Sequence, residues 1–146
     1  MQRATRVSGF ATAHDAESAF YEAFERGDLG AMMSVWADDE EVVCIHPGGT
    51  RLIGYEQVRK SYAEMFDGRE RVRVHLSHQV YMQGMLIAVH SVLEHVLVSG
   101  EPKPRPPFMA TNVYMRTSEG WRMLMHHASA APAQAAPPAE TLKRLH

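Results

Sequence analysis

The chain has a single cysteine, Cys44, among 146 residues. An internal disulfide is therefore excluded, and a reducing cytoplasm is the expected compartment. No apolar run approaches the length needed to span a membrane. The first thirteen residues carry Arg3 and Arg6 but no long apolar stretch, so no signal peptide is expected there. Charge of one sign is also missing: 15 Lys and Arg face 17 Asp and Glu, for a net charge of −2. Without a basic stripe a nucleic-acid partner is not expected, and the alternating Arg69, Arg71 and Arg73 read as a solvated strand face. The sequence lacks a His-Glu-x-x-His pair, a glycine-rich phosphate loop and a serine-nucleophile elbow. No cofactor and no metal are expected, although His46, His90, His95 and His127 with Glu94 contain suitable ligand types. No internal repeat is visible.

What is present is ordinary for one globular domain, with 45% hydrophobic and 22% charged residues. The most informative segment is Val42-Val43-Cys44-Ile45-His46-Pro47-Gly48-Gly49. An apolar strand there delivers an imidazole to a turn, because proline removes a donor and the glycines permit conformations closed to other residues. A titratable side chain at a strand end is a common way to line a pocket, and a turn histidine bonded to nearby backbone is the plainer alternative.

Helical spacing of Ala16, Ala19, Phe20, Ala23 and Phe24 predicts a helix over residues 15–26. Gly27 ends it, and Asp28 caps a second helix ending near Trp36. A third helix is expected over residues 55–66. After Gly68 the period changes to two: Val72, Val74, Leu76, His78, Val80 and Met82 form one strand face. A long strand over residues 85–98 follows, then a proline-rich loop near Pro102 to Pro107. A last hairpin pairs residues 108–116 with 121–129. Three helices and four antiparallel strands give an α+β domain over residues 15–132, between flexible segments at 1–14 and 133–146. The strand over 85–98 is apolar on both faces, which predicts a homodimer formed through the sheet.

The order of these elements, with Cys44-Ile45-His46-Pro47-Gly48, Leu52-Ile53-Gly54, Ala110-Thr111-Asn112-Val113 and Trp121 through Ser129, resembles the nuclear transport factor 2-like superfamily. Within it, the chain is most similar to the SnoaL-like and ketosteroid-isomerase-like small proteins. The closing strand is also similar to that of the calcium/calmodulin-dependent kinase II association domain. The resemblance implies a cystatin-like cone, in which a strongly bent antiparallel sheet wraps around three N-terminal helices and leaves a pocket. It implies a small-molecule-binding protein, such as an isomerase, cyclase or dehydratase acting by proton transfer on a hydrophobic substrate. A non-catalytic ligand-binding or association module is the alternative.

Within such a pocket, Glu94 is the expected carboxylate, because it interrupts the apolar run Ser91-Val92-Leu93-Glu94-His95-Val96. Its plainer reading is a strand-face partner for Arg116, Arg122 or His95. Strict alternation on the last strand groups Trp121, Met123, Met125, His127 and Ser129. Placing Arg122 outside then makes His127 the pocket histidine and sends His126 to the dimer interface or solvent. Glu94 or His127 is expected to move a proton while Asn112 or His46 steadies a developing oxyanion; the plainer reading has Asn112 and His127 satisfying each other or backbone groups within the sheet. Tyr21, Phe24, Trp36, Tyr62 and Met125 complete the expected ligand-binding wall, although aromatic residues at helical spacing are more often core.

Overall fold

In the first helix, α1 (Ala13–Arg26), the small and aromatic residues Ala13, Ala16, Phe20 and Ala23 share one buried side. The computed structural model describes residues 9–132. The Thr12 side chain accepts from Asp15 N–H to start α1, and Gly27, with φ 63, ends it in the left-handed region. Asp28 accepts from Ala31 N–H and starts α2 (Leu29–Val35). That helix stops before Trp36, whose extended backbone bridges Met123 in parallel. Trp36 is thereby fully buried in the core.

Two short strands, β1 (Val43–Ile45) and β2 (Leu52–Ile53), precede α3 (Tyr55–Phe66), which buries Tyr55, Val58, Tyr62 and Phe66. Between β1 and β2, Gly49 N–H bonds to the His46 carbonyl at 2.8 Å around Pro47 and Gly48, whose φ is 73. Proline then glycine at the centre of such a bond is the arrangement of a type II turn. The remaining strands are β3 (Val72–Gln83), β4 (Ile87–Val98), β5 (Phe108–Thr117) and β6 (Gly120–Ala130). Together they form a six-stranded sheet in the order β2-β1-β6-β5-β4-β3. Every neighbouring pair is antiparallel except β1 with β6, which is parallel. The sheet curls over the helices without closing, an α+β fold of the kind the resemblance implies. The two short strands enlarge the four-stranded sheet expected from the pattern.

Two bulges redirect side chains. In β3 the pairing jumps from Ser77↔Leu93 to Val80↔Ser91, and His78 sits at φ 51 in the extra position. The apolar alternation expected to continue through Val80 and Met82 is therefore broken. Val74 and Leu76 pack against the core, whereas Val80 and Met82 are each 58% exposed on the opposite face. In β6 the pairing passes from Tyr114↔Met123 to Val113↔Met125, leaving Leu124 as the extra residue. Trp121 and Met123 are buried before this bulge, and His126 and Ala128 are buried after it.

Of the N-terminal segment expected to be flexible, residues 9–14 are described: Phe10 pairs with Trp121, and Ala13 is already helical. Glycine is required at the tip of the β5–β6 turn, where Gly120 has φ 95 and an added Cβ would lie 2.7 Å from Gly9. Residues 1–8 and the tail 133–146 lie outside the described residues.

Candidate functional site

The helices and the curled sheet enclose a cavity of about 510 Å³. Its apolar wall is built by Phe20 and Phe24 of α1, Tyr62 and Met65 of α3, and the inward valines of β3 and β4. Arg69, Glu70 and Arg105 contribute its charged lining, with Arg105 supplied by the proline-rich loop. Arg69 lies over the Phe24 and Phe66 rings and donates to the Phe24 carbonyl.

The polar part of the site rests on alternation along β4 and β5. On β4, Ala88, His90, Val92 and Glu94 all face the interior, so the carboxylate follows an apolar series into the cavity. Tyr21, one helical turn after Glu17 on α1, donates its hydroxyl to Glu94 Oε2 at 2.6 Å. Asn112 of β5 donates from Nδ2 to the Tyr21 hydroxyl oxygen at 2.9 Å and to Glu17 Oε2 at 3.3 Å. The same Glu17 oxygen receives Tyr114 Oη and His90 Nδ1, each at 2.9 Å. On the other side of Asn112, Oδ1 lies 2.6 Å from His126 Nδ1. Six buried polar side chains from one helix and three strands thus join one network centred on a single amide.

Burial controls the proton affinities. Glu94 is pushed up to about 7, chiefly by desolvation; the Tyr21 hydrogen bond pulls the other way and the Glu17 charge adds to the rise. His126 is pushed down to about 3 by burial, helped by His46 and His127. It is therefore a neutral imidazole across the physiological range. The Tyr21 hydroxyl is raised well above its ordinary value by burial and by Glu94, so it remains a donor.

At the turn after β1, His46 Nε2 lies 3.0 Å from Ser61 Oγ, whose own hydrogen goes to the Val58 carbonyl at 2.7 Å. His46 must then donate from Nε2. Its ring meets Tyr62 edge-on at 4.9 Å, and burial lowers its pKa. Cys44 Sγ is 3.7 Å from His46 Nε2, but burial pushes the thiol up to about 12, so it is a buried core group and not a thiolate. Among the described residues no cluster of three or more His, Cys, Asp or Glu is arranged to hold a metal ion.

The structure places Glu94, His46, Tyr21, Phe24 and Tyr62 on the cavity wall. Asn112 lies one layer behind it, bonded to two wall residues. Glu94 meets Tyr21 in place of Arg116, Arg122 or His95. Four expectations are corrected. His127 is exposed and His126 lines the cavity, because the Leu124 bulge reverses the alternation. Met125 moves off the wall with His127 for the same reason, pairing with Val43 on one side and Val113 on the other. Trp36 belongs to the core under α3 rather than to the wall, because its extended backbone pairs with Met123. Arg122, expected outside, is 2% exposed and donates to the Ser34 carbonyl.

Glu17, His90, Tyr114 and His126 are members of the network that the pattern alone does not assign. Glu17 carried a legible signal: it sits four residues before Tyr21, within the Ala16 to Phe20 apolar stripe. His126 carried none, because a bulge has no residue signature of its own.

The SnoaL-like domain family matches this chain over residues 14–134. A solved structure from Thiobacillus denitrificans, provisionally assigned as a calcium/calmodulin-dependent protein kinase type II association domain, is 41% identical. The match covers 85% of this chain and 98% of that one, with a TM-score of 0.76. A protein of the NTF2-like family from Streptomyces avermitilis, provisionally assigned as a dehydratase, is 35% identical. That match covers 81% of this chain and 92% of the other, with a TM-score of 0.72. The F-box protein SKIP8 of Arabidopsis thaliana is 28% identical over 114 residues. These are 69% of this chain, and they span 42% of the length of that relative.

Proposed function

Because the chain belongs to the SnoaL-like domain family, within the nuclear transport factor 2-like superfamily, we propose that its cavity binds a small, largely apolar molecule and that Glu94 moves a proton on it. The observation that carries this reading is the Glu94 carboxyl: 8% exposed, walled by aromatic and aliphatic side chains, and pushed up to about 7 by that burial. A carboxyl at that value is divided between acid and base near neutrality, as a proton shuttle requires. Tyr21 occupies Oε2, and Oε1 has no hydrogen-bond partner among the described residues. Tyr21 and Asn112 hold the carboxyl in one orientation, so no side chain need reorganise when the proton moves. His46 and Tyr62 bound the same space near the Pro47 turn. The S. avermitilis relative, assigned as a dehydratase, fits chemistry of this class. The lone cysteine fits action in the cytoplasm.

The test uses 2-tetralone, a flat apolar ketone with exchangeable hydrogens beside its carbonyl, incubated with the protein in D2O and followed by proton NMR. The wild type is expected to accelerate exchange, and Glu94→Gln to reduce that acceleration by about a hundredfold, the lower end for general acid–base catalysis. Equal exchange in the two proteins would remove Glu94 from the reaction.

A second observation supports association of two copies. Val80, Met82, Ile87, Leu97 and Met109 are exposed on the sheet's outer face, an apolar surface that a monomer would leave wet. The T. denitrificans relative, assigned as an association domain, carries the same fold. We expect sedimentation velocity at micromolar concentration to give a dimer; a lone monomer boundary rejects this arrangement.

A further inference from the structure

The hydrogen-bond directions around Asn112 fix one proton that no distance shows directly. Glu17 Oε2 and the Tyr21 hydroxyl oxygen both stand on the Nδ2 side of the amide. Tyr21 is committed as a donor to Glu94, so its oxygen can only accept from Asn112. The opposite end of the amide, Oδ1, is a pure acceptor, and His126 Nδ1 lies 2.6 Å from it. The ring nitrogen there must carry the hydrogen. In a neutral imidazole the lone pair is then at Nε2.

Nε2 has no hydrogen-bond partner among the described residues, although His126 is only 5% exposed. Phe20 packs on the ring at 5.0 Å and prevents it from turning away. The residue lines the cavity, among phenyl, phenol and aliphatic side chains. Nε2 faces the cavity and not a sealed interior, so an apolar ligand that covers it without supplying a donor leaves it unsatisfied, a desolvation cost that a donor group on the ligand relieves. Protonating Nε2 is the other escape, and the surroundings oppose it: burial acts first, and His46 and His127 add to it. An incoming carbonyl or carboxylate oxygen would set lone pair against lone pair.

We propose that the cavity selects flat, apolar ligands bearing a hydroxyl group, and that this hydroxyl donates to His126 Nε2. The assignment rests on the ligand-binding reading above and is independent of whether Glu94 transfers a proton. Asn112 is the positioning residue: its amide orientation, held by Glu17 and Tyr21, gives His126 its acceptor face. Glu94 is the competing acceptor within the same cavity: with Tyr21 on Oε2, its Oε1 accepts when the group is ionised and carries the hydrogen when it is protonated.

Three probes that share one ring system separate these cases by calorimetric titration of the full chain: naphthalene, 2-methoxynaphthalene and 2-naphthol. We expect 2-naphthol to bind about tenfold more tightly than the other two, by the worth of one buried hydrogen bond. That preference should be equal at pH 5.5 and pH 8.0, and His126→Phe should erase it while still binding naphthalene. Equal affinity for 2-naphthol and its methyl ether overturns the proposal on the wild type alone, whatever the variant does. A preference that emerges only above pH 7 moves the hydroxyl to Glu94 and overturns it equally. Binding of the three probes without preference leaves the cavity reading standing, whereas binding of none removes both.

Discussion

Replacing Glu17 by leucine is expected to lower the unfolding free energy by about 3–5 kcal/mol, read from urea denaturation at pH 7. A single carboxylate oxygen receives Tyr114, His90 and Asn112, and Glu17 is itself only 4% exposed. Leucine supplies comparable bulk, so the loss is not chiefly one of packing. It arises because two buried donors, Tyr114 Oη and His90 Nδ1, lose their acceptor, at about 1–3 kcal/mol each. His90 suffers most, since its Nε2 already lacks a partner and the ring is fully buried. Asn112 keeps Tyr21 but loses the second anchor of its amide. Glu17→Gln retains an acceptor and should cost less than the leucine change. A loss below about 1 kcal/mol for Glu17→Leu would show that these donors find other acceptors.

Glu94→Gln is expected to stabilise the protein above pH 7 by up to about 3 kcal/mol and to leave it unchanged below pH 4.5. The folded value of about 7 stands above the ordinary 4.5, so the folded state holds the Glu94 proton where the unfolded chain has released it. That contribution is fully present below pH 4.5 and is lost as pH rises through 7. The amide of glutamine stays neutral and can still accept from Tyr21, so the variant escapes the loss. His126 runs the other way. Its folded value of about 3 lies below the ordinary 6.5, so its contribution is full above pH 6.5 and fades as pH falls toward 3. Between pH 4.5 and 6.5 the two slopes oppose each other, and the wild type should show a flat stability profile there. The variant, keeping only the His126 slope, should gain stability across that interval. Denaturant midpoints measured from pH 4 to pH 8 check both curves; parallel profiles for the two proteins would contradict the burial of Glu94.

These expectations depend on features that the sequence reveals unequally. The α3 limits follow directly from apolar spacing, and α1 and the β5–β6 hairpin lie within a few residues of their pattern. Glu94 is legible because a carboxylate within an apolar strand is conspicuous wherever the strand goes. The His126 and His127 assignment is not, because strict alternation is the default and the inserted Leu124 is an unremarkable leucine. The same ignorance places Val80 and Met82 on the wrong face of β3. Trp36 misleads for a different reason: a helical stripe assigns it a side, whereas the backbone leaves the helix one residue earlier. The Glu17, Tyr21 and Asn112 contacts join residues far apart in sequence, and only the tertiary fold brings them together.

The parallel pairing of β1 with β6 carries a consequence for how the molecule comes into being. The strand that leads into His46 and the strand that holds His126 are separated by most of the sheet in sequence, Val43 pairing with Met125, yet they lie side by side in one ladder. Closing so long a loop is entropically unfavourable and yields nothing until both partners are present. On the ribosome the hairpins β3–β4 and β5–β6 can pair as they emerge, but β1 must wait, unpaired on that side, for the last strand. The chamber around Glu94 is therefore a late product of folding, assembled when β6 reaches β1.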